Sequence, residues 1–153
     1  AERYINEAVM RQAVVMQMTW TGAPTLYYGD EAGVCGFTDP DNRRTYPWGK
    51  ENQGLLRFHK EAIRIHKESS ALRCGSLDIL YGKNNVVAYA RFDKDETIVV
   101  VINRGSEKNE LIIPVWRAEV PKQCEMEQIL YSYAEGYSVD SVSLPVDEGN
   151  LTL

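Results

Sequence analysis

The sequence predicts an α+β chain, in which a helical first part is followed by an antiparallel β-domain. Before Ser69, apolar residues recur at spacings of three and four, around one short apolar run. After Ser69 the apolar residues alternate with a period of two, which is typical of half-buried strands. This change of period places a domain boundary between Ser69 and Cys74. We therefore divide the chain into residues 1–70 and 71–153.

The composition is that of an ordinary globular chain. Hydrophobic residues make up 44% of the 153 residues and charged residues 25%. The net charge of −5 argues against a nucleic-acid partner, because an acidic surface repels phosphate backbones. The longest aliphatic run, Ile98–Ile102, is far shorter than the ~18 residues of a membrane span, so we expect no membrane partner.

The cysteines and the first residue bear on the origin of the chain. Three widely spaced cysteines, with no Cys-x-x-Cys pair, indicate reduced thiols and favour a cytoplasmic location. Neither a metal-binding cluster nor a cofactor fingerprint is present in the sequence, so we expect no metal and no cofactor. The chain starts at Ala1 inside a helical pattern, and we therefore expect it to be a piece of a longer protein.

The first part is predicted to contain a helix, a strand, a long loop and a second helix. The first helix is indicated by an apolar stripe formed by Ile5, Val9, Ala13 and Met16. The run Thr25–Tyr28, closed by Gly29, predicts one buried strand, and a polar loop follows over residues 30–53. The second helix is indicated by a stripe formed by Leu55, Phe58, Ala62 and Ile65.

The second part is predicted to be an antiparallel meander that forms a β-sandwich or Greek-key domain. Turns are expected at residues 82–85, 93–95 and 104–106. The predicted strands are Leu77–Tyr81, Val86–Phe92, Thr97–Ile102, Leu111–Val115, Met126–Leu130, Val142–Val146 and Leu151–Leu153.

Asp30 and Glu31 are adjacent carboxylates, but they are a poor catalytic pair. Retaining glycoside hydrolysis needs two carboxyl groups about 5–5.5 Å apart across one bond. Neighbouring residues that leave a strand point to opposite faces, so these two side chains are not expected to converge. We expect them to anchor the loop through hydrogen bonds or ion pairs.

The segment Asp39–Arg44 carries two acidic and two basic side chains. An EF-hand calcium loop is excluded, because Arg43 would occupy a ligand position. Two readings remain open from the residues alone. Asp39 and Arg43 could bind neighbouring sugar hydroxyls by charge-assisted hydrogen bonds. Alternatively the segment is a self-satisfied turn, in which Asp39 caps backbone amides and Arg43 or Arg44 pairs with Asp41.

Two other groups of residues could have a binding role or a purely structural one. His59 and His66 are seven residues apart on the second helix, about 10.5 Å along its axis, so one metal cannot bridge them and packing is favoured. An aromatic group could form a sugar-stacking platform, although half-buried strand and loop aromatics are the commoner arrangement. Its members are Trp116, Tyr131, Tyr133 and Tyr137.

Two motifs of the first part resemble the α-amylase family of glycoside hydrolases. The segment 22–31 reads Gly-x-Pro-x-x-Tyr-Tyr-Gly-Asp-Glu, and Asp-Pro-x-x-Arg follows at 39–43. The chain is most similar to the neopullulanase, cyclomaltodextrinase and maltogenic amylase branch. The resemblance implies that residues 1–70 are the last part of a (β/α)8 barrel. It also implies that residues 71–153 are the antiparallel C-terminal β-sandwich.

The resemblance implies a substrate and the residues that bind it. In the family, the Asp and Arg of the second motif bind the glycone sugars of an α-glucan, which corresponds to Asp39 and Arg43 here. Trp48 would help to shape the cleft wall. The loop would lie at the C-terminal face of the barrel, where that fold builds its active sites.

The chain departs from the family pattern in two ways. The motifs of the catalytic carboxylates are absent and would lie upstream, so we expect no catalytic residue here and no activity of the fragment alone. From the resemblance, we also expect the β-domain to lack the last strand of the family pattern.

The leading hypothesis is the C-terminal part of a retaining α-glucan hydrolase, acting on starch, maltooligosaccharides or cyclodextrins in the parent. The alternative is a non-catalytic glucan-binding module. Without its barrel, the first part should expose apolar surface or cover it by self-association.

Overall fold

The computed structural model of the chain describes residues 6–105 and 110–153. The three α-helices of these residues are α1 (Glu7–Thr19), α2 (Gln53–Glu68) and α3 (Ser70–Cys74). A 3₁₀ helix covers Val115–Ala118. The nine strands of the described residues are β1 (Ser76–Lys83), β2 (Val86–Phe92), β3 (Thr97–Asn103), β4 (Ile112–Ile113), β5 (Cys124–Gln128), β6 (Tyr131–Tyr133), β7 (Gly136–Ser138), β8 (Val142–Asp147) and β9 (Asn150–Thr152).

The strands form antiparallel sheets, as the period-two pattern predicts. One sheet has the order β1-β2-β3, a second has the order β4-β9-β8-β5, and β6 pairs with β7 alone. The first two sheets enclose a common apolar core, in the manner of a sandwich. Buried members of this core are Leu80, Val86, Ala88, Ala90, Leu111, Ile113, Val115, Ala118, Val120, Val146 and Leu151.

Strand β2 is buried on both faces and joins the β-domain to the helices. Ala88 and Ala90 point into the sandwich core. Tyr89 and Arg91 alternate with them and therefore point to the opposite face. There the Tyr89 hydroxyl lies 2.6 Å from Oγ1 of Thr19, at the end of α1.

The helices form where the periodicity places them. Asn6 caps α1 by accepting a hydrogen bond from the Val9 amide, and Asn52 caps α2 in the same way. The predicted stripe of α2 is confirmed, because Leu55, Phe58, Ala62 and Ile65 are all buried. His59 is buried beside them. On α1, however, Val9 is 51% exposed and Met16 is 40% exposed. The described residues cover that part of the predicted stripe only in part, and Ile5 lies outside them.

The predicted strand Thr25–Tyr28 is wrong, because the segment forms no strand in the structure. A strand needs a neighbouring strand to accept and donate its ladder hydrogen bonds. The described residues offer none beside this segment, and Tyr27 and Tyr28 are 54% and 46% exposed.

Smaller differences occur in the β-domain. The strand predicted over Leu111–Val115 shortens to β4, because Pro114 lacks a ladder donor and the 3₁₀ helix follows. The hairpin β6–β7 and the helix α3 were not predicted. Ser106, in the third predicted turn, lies outside the described residues. The division into 1–70 and 71–153 stays a prediction.

Candidate functional site

The loop over residues 20–52 connects α1 to α2, and both of its ends are held in place. The side-chain amide of Gln17 donates to the carbonyl of Thr25 at 2.5 Å. At the other end, the Asn52 amide donates to the carbonyl of Ala32 at 2.9 Å, while its side chain donates to Glu7 at 2.8 Å. Because Glu7 is on α1, Asn52 ties the loop to both helices.

Glu31 anchors the first turn of the loop, as the loop-anchoring interpretation predicts. Its carboxylate accepts a hydrogen bond from the Gly29 amide at 3.0 Å. It also hydrogen-bonds the Tyr46 hydroxyl, and the pKa of Tyr46 is raised by desolvation and by this acidic neighbour. Burial raises the pKa of the adjacent Asp30, whose carbonyl accepts from Gly33 at 3.2 Å.

Asp39 and Arg43 form a bidentate ion pair. Nε of Arg43 lies 2.9 Å from Oδ1 of Asp39, and Nη2 lies 3.2 Å from Oδ2. Two turn hydrogen bonds, from Asp41 to Thr38 and from Arg43 to Pro40, bring the two side chains to the same side of the segment. The side chains remain 61% and 69% exposed, respectively.

A second ion pair lies in the same turn. Arg44 binds the carboxylate of Asp41 through Nη2 at 2.6 Å and through Nε at 3.0 Å. The carbonyl of Arg44 accepts a hydrogen bond from the Tyr28 hydroxyl at 3.0 Å, which fastens the turn to the start of the loop. The interpretation as a self-satisfied turn predicts this Arg44–Asp41 pair. It also predicts that Asp39 caps backbone amides, but the Asp39 carboxylate pairs with Arg43 instead.

The Asp39–Arg43 pair suits the recognition of hydroxyl groups. A bidentate pair fixes the guanidinium plane, and the remaining N–H donors and carboxylate lone pairs still face solvent. A sugar offers neighbouring hydroxyls that can accept from the guanidinium and donate to the carboxylate. The arrangement is therefore chemically suited to a neutral polyol.

Trp48 is the most exposed large apolar side chain of the loop, at 82%. Its ring lies 4.5 Å from the ring of Tyr46, at an angle of 49°. Tyr46 is itself hydrogen-bonded to Glu31, so the ring that Trp48 packs against is held in place. Tyr46 was not predicted as part of the site, although its position two residues before Trp48 is the signal that could have identified it.

The two histidines serve packing, as predicted. His59 is 1% exposed, and its Nδ1 lies 2.8 Å from the Leu55 carbonyl, so Nδ1 carries the proton. Nε2 of His59 is buried and has no hydrogen-bond partner among residues 6–105 and 110–153. Nδ1 of His66 lies 2.7 Å from the Met18 carbonyl and ties α2 to α1.

Within the described ranges, the chain has neither a metal-binding cluster nor a helix suited to a membrane. Residues 6–105 and 110–153 contain no group of three or more His, Cys, Asp or Glu side chains placed to hold a metal. No helix within the same ranges has the length and apolar character needed to cross a membrane.

The aromatic group proposed from the sequence is divided by the structure. Tyr137 packs edge-on against Phe58 of α2, with ring centroids 5.0 Å apart. Trp116 lies on the 3₁₀ helix, where it contacts Gly149. Tyr131 and Tyr133 remain together on β6, so the four residues do not form one platform.

Comparisons with known proteins agree with the motifs of the loop. No family model matches the chain. An amylopullulanase of Thermoanaerobacter thermohydrosulfuricus is 42% identical over 110 residues, which cover 65% of this chain and 8% of that protein. Neopullulanase 2 of Thermoactinomyces vulgaris is 40% identical over 114 residues, which cover 72% of this chain and 20% of that protein.

A solved structure extends the similarity to nearly the whole chain. The α-amylase of Geobacillus thermoleovorans, complexed with acarbose, matches with a TM-score of 0.77 and 26% identity. The match covers 97% of this chain and 31% of that one.

Together these matches define the class of the protein. The chain belongs to the α-amylase family of glycoside hydrolases and corresponds to the C-terminal region of that family. Within the family, its relatives are named as amylopullulanases, neopullulanases and cyclomaltodextrinases, which is the branch that the loop motifs indicate. The chain spans 8% to 20% of the length of these relatives.

Proposed function

We propose that this chain is the C-terminal part of a retaining α-glucan hydrolase and that it supplies glycone-subsite residues. Residues 1–70 are the last part of the (β/α)8 barrel, and residues 71–153 brace that barrel as its β-sandwich. The observation that carries the proposal is the exposed, bidentate Asp39–Arg43 pair on an anchored loop. The names of the relatives support the substrate class.

The chemistry is performed by residues that this chain does not supply. In the parent, an aspartate attacks the anomeric carbon and a glutamate protonates the leaving oxygen. The fragment alone is therefore expected to hydrolyse nothing.

Asp39 and Arg43 act by binding sugar units remote from the scissile bond. Binding energy from remote units positions the bond and helps to distort the reacting sugar, so it raises kcat/KM. The anchors at Glu31 and Asn52 hold the loop before substrate arrives, which lowers the entropic cost of binding. Trp48 adds an apolar wall against which a sugar ring packs.

The first test replaces Asp39 or Arg43 by alanine in the full-length enzyme. Each change should lower kcat/KM on maltooligosaccharides by ~1–3 kcal/mol, the scale of one charge-assisted hydrogen bond. Steady-state kinetics on substrates of increasing length measure the effect, which should be largest for the longer ones.

The matched control is Arg44→Ala, which removes the other arginine of the same turn. It breaks the Arg44–Asp41 pair and keeps the Asp39–Arg43 pair. The control should change kcat/KM by less than about twofold. Unchanged kinetics in both test variants, or an equal loss in the control, would refute the subsite assignment. A parent that binds glucan without hydrolysing it would instead favour the non-catalytic module.

A further inference from the structure

The hairpin β6–β7 has an inner face that is fixed to the helices. Ser132 and Tyr137 are cross-strand neighbours and share this face. Ser132 accepts a hydrogen bond from Nε of Arg11 at 3.2 Å, and Tyr137 packs against Phe58. The inner face thus contacts both α1 and α2.

Arg11 fixes the backbone of the hairpin as well. This arginine is 4% exposed, and its Nη2 donates to the carbonyls of Tyr133 and Ala134 at 2.9 and 3.0 Å. A buried guanidinium needs such partners, because an unpaired buried charge is costly. The consequence is a two-stranded hairpin with a geometry set by tertiary contacts, although an isolated hairpin of this size is marginal.

The outer face carries two tyrosines that the described chain covers only in part. Tyr131 and Tyr133 are two residues apart on one strand, so they point to the same side. Their rings lie 5.9 Å apart with an angle of 27° between the planes, and they are 54% and 43% exposed. A Cβ built on Gly136 would lie 3.3 Å from the hydroxyl oxygen and 3.5 Å from Cζ of Tyr133. The ring of Tyr133 therefore lies over Gly136, whose missing side chain leaves room for it.

The polar groups beside the two rings are hydroxyl and carboxylate groups. Ser138 is the cross-strand partner of Tyr131, and its hydroxyl donates to Asp140 at 2.7 Å. Glu135 lies in the turn between the strands. Glu135 and Asp140 are exposed, whereas the nearby Arg11 is buried on the inner face, so the exposed charges beside the rings are acidic. Acidic charges disfavour an anionic ligand and suit a neutral ligand rich in hydroxyl groups.

We infer that Tyr131 and Tyr133 form a second binding surface for α-glucan, in addition to the residues of the 20–52 loop. The C–H faces of successive sugar rings would stack on the two aromatic faces, and Asp140 would accept hydrogen bonds from sugar hydroxyls. This assignment rests on the substrate class proposed above, but it does not depend on the Asp39–Arg43 pair. Its effect would be to hold a long glucan chain on the enzyme.

The test measures binding of polymeric glucan by the full-length enzyme. Native gel electrophoresis in gels that contain increasing amylopectin gives the apparent Kd from the retardation. The double variant Tyr131→Ala/Tyr133→Ala should raise this Kd at least about fivefold, on the scale of two lost stacking contacts. The variant Tyr131→Phe/Tyr133→Phe keeps both rings and should stay within about twofold of the parent.

The matched control is Trp116→Ala, which removes an aromatic side chain of similar exposure, 57%, from another surface of the β-domain. It should leave the retardation unchanged. If the double variant does not fold, Tyr131→Ala alone is the second variant. The ring of Tyr133 packs over Gly136 within the hairpin, whereas the ring of Tyr131 does not, so its loss should disturb the hairpin less.

Two sets of results would overturn the inference. Unchanged retardation of the alanine variants, or an equal loss in the Trp116 control, would exclude stacking at this surface. A change of oligomeric state in the alanine variants, seen by sedimentation, would show that a second copy of the chain covers the tyrosines. The kinetic test separates this inference from the proposed function, because Asp39→Ala should reduce maltooligosaccharide turnover and leave the tyrosine contribution to retardation intact.

Discussion

Arg91 joins the helical part to the β-domain through backbone carbonyls. The residue is 2% exposed, and its Nη1 donates to the carbonyls of Thr19 and Trp20, both at 2.9 Å. Its other donors reach Gly75 at 3.0 Å and Ser76 at 3.3 Å. One side chain thereby satisfies carbonyls at the ends of α1 and α3, where helices leave such groups without partners. Burial lowers the pKa of the guanidinium.

We predict that Arg91→Met strongly destabilises the protein. Methionine is apolar and of similar length, but it leaves four carbonyls without their donor, and the loss should be about 3 kcal/mol or more. Urea unfolding of the full-length enzyme measures the change. The control Arg117→Met removes an exposed ion pair with Asp78 and should cost less than about 1 kcal/mol. Equal effects of the two changes would contradict the role given to Arg91.

Some residues of the candidate site could be predicted from the sequence, and others could not. The loop motifs identified Asp39 and Arg43, and the four-residue spacing agrees with their ion pair. The support of Trp48 by Tyr46 was not predicted, because it depends on the path of a loop that has no periodicity. The buried arginines were missed for a related reason. The partners of Arg91 are backbone carbonyls, and Arg11 also binds carbonyls of a distant hairpin, and such carbonyls carry no sequence signal.

At the scale of elements, periodicity predicted the strands whose neighbours lie within the chain. The limits of β2 are those predicted, and β1, β3, β5, β8 and β9 each overlap their predicted runs. The prediction of a strand over Thr25–Tyr28 was wrong, since an apolar strand needs a neighbouring strand and the described residues provide none there. The helix α3 was missed because five residues are too few to show a period. That helix depends on capping from the turn between β2 and β3.

Ser69 caps α3 by accepting a hydrogen bond from the Leu72 amide at 3.1 Å, and two carboxylates support this cap. One oxygen of Glu96 accepts hydrogen bonds from the Ser69 hydroxyl and the Ala71 amide, at 2.7 and 2.9 Å, and lies 3.1 Å from the Ser70 hydroxyl oxygen. Asp93 accepts from Ser70 at 2.5 Å. The hydrogen bond from Ser70 lowers the pKa of Asp93. For Glu96, burial acts to raise the pKa, but the bonds from Ala71, Ser69 and Ser70 together outweigh it and lower the pKa.

We predict that this cap contributes an acid-sensitive part of the stability. Because both pKa values are lower in the folded state, their contribution is present above the ordinary values of 3.8 and 4.5. It is lost as the pH falls through the folded values. The double variant Asp93→Asn/Glu96→Gln should therefore be less stable at pH 7 and should lose less stability on acidification. Urea unfolding between pH 7 and pH 3 measures the free energy of unfolding of both proteins and its decrease as the pH falls.

The matched control for the cap is Asp95→Asn, in the same turn. Its side chain forms an exposed ion pair with Lys94, at 3.7 Å. The pH dependence of this variant should follow that of the unchanged protein. Parallel curves for the double variant and the control would exclude the cap as the source of the acid sensitivity.

At the scale of the whole molecule, the β-domain has an apolar core of its own, whereas α1 and the start of the following loop expose apolar side chains. These exposed side chains are Val9, Met16, Trp20, Tyr27 and Tyr28. A cleft beside them, of about 260 Å³, is lined by Met18, Pro24, Leu26, Ile63, His66 and Lys67. The two surfaces agree with the proposal that further barrel elements pack here in the parent. Exposed apolar surface of this extent is otherwise a site of association.

We predict that the isolated 153-residue chain binds an apolar dye and self-associates, whereas the full-length enzyme does neither through this surface. Dye fluorescence and sedimentation at increasing concentration measure the two effects. The variant Val9→Lys/Met16→Lys places charges on the exposed face of α1 and should shift the isolated chain towards the monomer. In the full-length enzyme the same two lysines should be destabilising, because they would lie against the barrel. A monodisperse isolated chain without dye binding, or a full-length variant of unchanged stability, would show that this face is a true outer surface.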